Sequence, residues 1–160
     1  DLAFVRDNYL DRDRYAVVEI AIDKMLVILS TKHRLAERES LALVELANEN
    51  FIMFDKGTVV HELAVDACRK AGFEPRIFYA SLRVESVLGM VASNSGIALM
   101  MEKVFEYHQS PDVLAIPLTE VIDSRIVLAV PKDKPVARIP KLFITFIQEA
   151  LDAKIDLSNG

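Results

Sequence analysis

The residues best placed to do chemistry lie in one short loop, Asp55-Lys56-Gly57-Thr58, between an apolar strand and an amphipathic helix. Where the carboxyl end of a strand feeds a helix start, the first backbone N–H groups have no intrahelical acceptor and the positive end of the helix dipole faces outward. That combination suits a carboxylate. Gly57 lets a ligand approach the backbone, Thr58 offers a hydroxyl and Lys56 a positive charge. The competing reading is that Asp55 or Thr58 simply caps the helix, and on the residues alone that reading is the stronger one. Ser81 and Leu82 open the next helix at the same edge of the sheet, where they would line the same cleft; Ser81 as a plain N-cap carries equal weight. Arg83 and Glu85 near that turn read as solvated, with Arg83 available to pair with an anion.

Nothing in the chain offers a catalytic pair, which would need a nucleophile beside a base or two placed acids. His33, His61 and His108 are scattered, without His-x-x-x-His or Cys-His spacing, and His61-Glu62 on a helix lacks a second histidine. All three histidines are expected to be surface or structural, and neither a metal site nor a catalytic residue is expected. No Gly-x-Gly-x-x-Gly loop and no Walker-type loop occurs, so no cofactor is expected either.

These groups need elements to hold them. Leu2 to Val5 reads as a short strand and Ala16 to Ile22 as a second, with the charged stretches between them as solvated connection. After Asp23 and Lys24, Met25 to Ser30 is a near-continuous apolar run, the mark of a strand covered on both faces. Ser40 is placed to cap a helix over Leu41 to Asn48, followed by the strand Phe51 to Phe54. The helix after Thr58 shows Val60, Leu63, Ala64, Ala67 and Cys68 on one face and ends at Gly72. Ile77 to Ala80 leads into a helix with Val84, Val87, Leu88, Val91 and Ala92 on one stripe, then Asn94-Ser95-Gly96 and the strand Ile97 to Met101. This alternation predicts parallel pairing with right-handed crossovers. Val113 to Leu118 and Arg125 to Val130 are two more strands, Pro117 placing the first near an edge or crossing point. The last helix starts with Pro140 and buries Leu142, Phe143, Phe146, Ile147 and Ala150.

With 160 residues, 52% of them hydrophobic, the chain can bury one core or two small lobes. A net charge of -5 works against phosphate-backbone binding, which relies on many Lys and Arg contacts. The single cysteine, Cys68, among Ala64, Val65 and Ala67, reads as a buried thiol in a reducing compartment. No apolar run of about 18 residues and no signal-peptide pattern is present, so the expected location is cytoplasmic with no membrane partner. The opening at Asp1-Leu2-Ala3-Phe4-Val5, in an apolar strand without an initiating methionine, reads as a piece cut from something larger.

Several phrases, in order, resemble the effector-binding domain of LysR-type bacterial transcriptional regulators. They are Asp1-Leu2-Ala3-Phe4-Val5; the strand Leu26-Val27-Ile28-Leu29 followed by His33-Arg34-Leu35-Ala36; Gly72-Phe73-Glu74-Pro75-Arg76; and Val91-Ala92-Ser93-Asn94-Ser95-Gly96-Ile97-Ala98. The closing strand Val127 to Val130 and helix Phe143 to Leu151 match as well. No single phrase is specific; their order and spacing across most of the chain are. Arg34 stands where proline is usual in the family, Asn94 replaces the first glycine of a Gly-x-Gly turn, and Met100 sits where proline often follows.

The resemblance implies an α/β fold of the type II periplasmic-binding-protein kind: two Rossmann-like lobes with mixed central sheets, joined by crossing strands near Asp23 to Met25 and Thr119 to Ser124, the first lobe incomplete. Residues 1–24 would belong to the first lobe, 25–121 to the second, 122–155 to the first again, and 156–160 to a polar tail. It places effector contacts in the Asp55 to Thr58 loop and implies a small, anionic metabolite held in a cleft between lobes. It also implies a homodimer or homotetramer, and DNA contact only through an N-terminal helix-turn-helix outside this chain. A solute-binding protein of a transport system, which has a closely similar fold, is the alternative.

Overall fold

The computed structural model describes residues 2–7, 10–133 and 138–157. Asp1, Asn8 and 158–160 of the expected tail lie outside the described residues. The chain divides into two compact units, 1–22 with 124–160, and 23–123.

The larger unit is built on a mixed sheet. β3 (Asn50–Phe54) pairs in parallel with β4 (Arg76–Ser81), from Asn50 opposite Arg76 to Phe54 opposite Ser81, with an irregularity between Phe51 and Ile52. A parallel bridge between Phe51 and Ile97 joins β3 to the start of β5 (Ala98–Met101). β5 and β6 (Val113–Pro117) each pair antiparallel with β2 (Tyr15–Ser30), giving the order β4-β3-β5-β2-β6 in this unit. The expected parallel pairing therefore holds around β3, while β2 runs against its neighbours.

Helices cover both faces over β3 and β5, which is why those strands read as continuous apolar runs, while β4 at the edge is exposed along most of its length. Phe51 and Met53 of β3 join Leu99, Met101 and the helix α1 (Val59–Lys70) in one cluster. Ile52 and Phe54, alternating to the other side, join Ala98, Met100 and α2 (Val84–Ala92) in a second.

Several expectations need correction. Asp23 and Lys24 do not interrupt β2, which runs unbroken for 16 residues. Asp23 is buried (1% exposed), and its carboxylate accepts the Lys103 N–H at 3.1 Å from the start of a short helix, α3 (Glu102–Tyr107), that periodicity did not announce. The helix expected over Leu41 to Asn48 shrinks to a 3-10 turn, Leu43–Leu46, entered from Ala42 and not capped by Ser40. Leu41 is drawn to the sheet instead: its N–H donates to the Pro117 carbonyl and its carbonyl accepts from Thr119 N–H. Arg34, unusual against the family pattern, has a partner in Glu49, which also lies 3.4 Å from His33.

In the smaller unit, β1 (Ala3–Arg6) pairs antiparallel with β7 (Asp123–Pro131), which neighbours the first part of β2, where Arg125 and Glu19 form an ion pair at 3.1 Å. α4 (Arg138–Leu157) starts two residues before Pro140 and runs through Asp156 and Leu157, which are helix and not tail. Leu142, Phe143 and Phe146, expected inside, are exposed, and Phe143 makes an edge-on ring contact with Phe4.

Candidate functional site

Because β3 and β4 are parallel and Phe54 stands opposite Ser81, the Asp55 to Thr58 loop and the Ser81-Leu82 turn leave the sheet side by side. The six residues singled out by sequence thus share one edge of the larger unit. Their chemistry is less uniform than expected.

Thr58 is the N-cap of α1: its Oγ1 accepts the His61 N–H at 3.2 Å and donates to the Asp55 carbonyl at 2.9 Å. The hydroxyl proton is thereby committed. The first α-helical bond runs from Glu62 N–H to Thr58 O, which leaves the N–H groups of Val59 and Val60 without an intrahelical acceptor. Gly57, at φ +88°, turns its own N–H toward the Glu62 carboxylate at 3.4 Å. A side chain at position 57 would meet no steric obstacle, so glycine is required here by backbone conformation, not by space. Lys56 is exposed and has no ion-pair partner among the described residues. Asp55 adds a negative charge to the same loop, an acceptor where an anion needs donors.

At the neighbouring turn, Ser81 is not the N-cap of α2. That place is taken by Arg83, and Ser81 ends β4 with its Oγ accepting the Arg83 N–H at 3.1 Å, which leaves the hydroxyl proton free to donate. Leu82 is 68% exposed, and the Arg83 side chain, also exposed, has no carboxylate partner among the described residues.

Sequence reasoning missed His61, which is 5% exposed in the first turn of α1. The buried stripe of that helix is His61, Ala64, Val65 and Cys68, at i, i+3, i+4 and i+7, while Val60, Leu63 and Ala67 are only partly covered. The spacing was visible, but a helical phase chosen on apolar residues alone hid the histidine. A groove of about 340 Å³ on the flank of α2, lined by Leu88, Gly89, Ala92, Glu85 and His108, shares none of the six residues.

Comparison with known proteins agrees with this architecture. The family model described as the LysR substrate binding domain matches residues 1–152. The chain belongs to the LysR substrate-binding domain family. As such a domain it is 27% identical over 126 residues to the transcriptional dual regulator GltC of Bacillus subtilis strain 168, covering 78% of this chain and 42% of that protein. It is 32% identical over 89 residues to the hydrogen peroxide-inducible genes activator of Haemophilus influenzae, covering 54% and 30%. The chain thus spans well under half the length of these relatives. The C-terminal domain of a probable LysR family regulator from Rhodococcus sp. RHA1 superposes with a TM-score of 0.79 at 25% identity, covering 92% of this chain and 74% of that one. The type II binding-protein fold expected of a LysR domain is the one present, and the LysR match favours a regulator's domain over the solute-binding alternative. Among the described residues no helix of this LysR domain is long and apolar enough to cross a membrane, and no three His, Cys, Asp or Glu side chains gather to hold a metal ion.

Proposed function

We propose that the chain is the sensing part of a transcriptional regulator and that it takes a small carboxylate at the shared edge of β3 and β4. The observation that carries this is the pair of N–H groups without an intrahelical acceptor at the start of a 12-residue helix, beside the left-handed Gly57, on an edge that also carries two cations, Lys56 and Arg83, with no counter-ion among the described residues. The Gly57 N–H already meets a carboxylate, that of Glu62 at 3.4 Å, which supports a carboxylate ligand at this loop. Ser81 adds a hydroxyl donor. Thr58 shapes the loop, Leu82 supplies apolar surface, and Asp55 meets hydrogen-bond donors of the ligand.

Binding here would shift the poise of the domain and, in the parent protein, the spacing of its DNA-reading ends. The reading is of a sensor and not an enzyme, working in the cytoplasm as a homodimer or homotetramer. DNA contact would come through a helix-turn-helix elsewhere in the parent chain.

Because one relative is a hydrogen peroxide-inducible activator, a thiol-based response is the second reading to weigh. Peroxide chemistry needs an accessible thiolate. Cys68 has none of its surface exposed, and burial pushes its thiol up to about 12, which favours the ligand over the oxidant.

The test is thermal shift of the full-length protein against a panel of small carboxylates at millimolar concentration. Stabilisation is expected for at least one of them, with Lys56→Ala and Arg83→Ala each weakening that ligand several-fold. A panel that leaves the melting temperature unmoved sinks the reading.

A further inference from the structure

The groove on the flank of α2 carries two features that the fold itself does not call for. Glu85, Leu88, Gly89 and Ala92, at i, i+3, i+4 and i+7 of the helix, form one wall, and residues 108–110, which follow α3, form the other. At about 340 Å³ the groove has the size of a small-molecule site, for which about 300 to 1,000 Å³ is usual.

The first feature is a glycine. Gly89 is the sixth of nine residues in α2, an interior position where glycine is less favourable than alanine because its backbone loses more freedom. Its φ is ordinary, so no left-handed turn requires it, and a Cβ built there meets no atom within 4 Å, so no close approach requires it either. On the stripe between Glu85 and Ala92, a side chain at this position would point into the groove. Bare backbone keeps that floor open.

The second feature is a pair of acceptors. His108, at the end of α3, has its Nδ1 2.9 Å from the Val104 carbonyl oxygen. A carbonyl only accepts, so Nδ1 carries the proton and Nε2 of the neutral ring is an acceptor. That Nε2 lies 3.7 Å from Oε1 of Glu85, a second acceptor, on the facing wall. The separation is too wide for a direct hydrogen bond, and one nitrogen donor reaches both atoms at about 2.9 Å. Water satisfies that polar end alone and leaves the open glycine floor beside it without a reason. An ammonium group supplies the donor together with the charge that Glu85 calls for, and an apolar chain behind it covers Leu88, Gly89 and Ala92.

We propose that this groove is a further ligand site and that it takes a small primary amine, its ammonium held between Glu85 Oε1 and His108 Nε2 and its apolar chain laid over Gly89. The groove shares no residue with the carboxylate edge, so the two readings stand or fall separately.

Titration calorimetry or thermal shift of the full-length protein at pH 8 with butylamine, butanol and methylamine tests this. Butylamine is expected to bind about tenfold or more tightly than butanol, which lacks the cation, and than methylamine, which lacks the chain. Glu85→Gln is expected to bring butylamine down to the level of butanol. Gly89→Leu, a good helix former whose side chain fills the groove, is expected to melt at or above the wild-type temperature and to lose butylamine binding. Should that variant fail to fold, Gly89→Ala, whose Cβ meets no protein atom within 4 Å, is expected to raise the melting temperature and to weaken butylamine several-fold. Three probes that bind alike, or none that binds, overturn the proposal. Butylamine binding that survives Glu85→Gln and the substitution at Gly89 places the amine elsewhere on an acidic surface and overturns it as well.

Discussion

At the scale of single residues, Cys68 shows how position changes chemistry. Burial first, and the nearby Glu74 carboxylate second, push its thiol from the ordinary 9.0 up to about 12. In the unfolded chain the thiol ionises near 9.0, whereas the folded chain keeps the proton to about 12. Above pH 9 the unfolded state therefore binds fewer protons, and the free energy of unfolding falls as pH rises through that window. Urea denaturation between pH 8 and 10.5 is expected to show this decline in the wild type and a shallower one in Cys68→Ala. The native thiol is also expected to resist an aromatic disulfide reagent at pH 8 and to react at once in denaturant; rapid labelling of the folded protein would contradict the burial and reopen the redox reading. The candidate site was legible at this scale in outline only. The strand-to-helix loop and the two cations could be read from residue types. That the Thr58 proton is taken by Asp55, that Arg83 and not Ser81 enters α2, and that a histidine lies beneath the loop could not.

Among elements, the turn between α2 and β5 separates two reasons for small or flexible residues. Asn94 adopts φ +58°, the left-handed conformation that asparagine tolerates better than most side chains, so it performs the task of the glycine that the family pattern places there. Gly96 has an ordinary φ, but a Cβ there would lie 2.5 Å from the Asn50 carbonyl oxygen, the atom that accepts the Ile97 N–H at 2.9 Å and joins β5 to β3. Gly96→Ala is expected to cost about 2 to 3 kcal/mol in chemical denaturation, since backbone and not a movable side chain must give way. Asn94→Gly is expected to change stability by no more than about 0.5 kcal/mol. Equal effects of the two substitutions would show that conformation and close approach have been wrongly apportioned. The same contrast explains the misread 3-10 turn: local spacing around Leu41 suggests a helix, but its backbone groups find partners at Pro117 and Thr119, nearly eighty residues away.

Across the whole chain, the larger unit closes its core on both faces of its sheet, while α4 of the smaller unit leaves Leu142, Phe143 and Phe146 facing outward, Phe146 at 63% exposure. Exposed apolar patches of this kind promote association. Phe146→Glu is expected to change the unfolding free energy of the 160-residue chain by no more than about 0.5 kcal/mol and to reduce its self-association in sedimentation velocity. A loss of several kcal/mol would mean instead that Phe146 is packed in solution.

What the sequence determined by itself was the alternation of buried strands and amphipathic helices, and with it the fold class, because apolar periodicity is a local record of which faces must leave water. It also marked the loop at which a strand end meets a helix start. Tertiary structure alone decided the antiparallel course of β2 through the buried Asp23, the phase of α1 that hides His61, and which hydroxyls and amides remain free to hold a ligand. Those outcomes depend on hydrogen bonds and packing between residues far apart in the chain, and no local pattern encodes them.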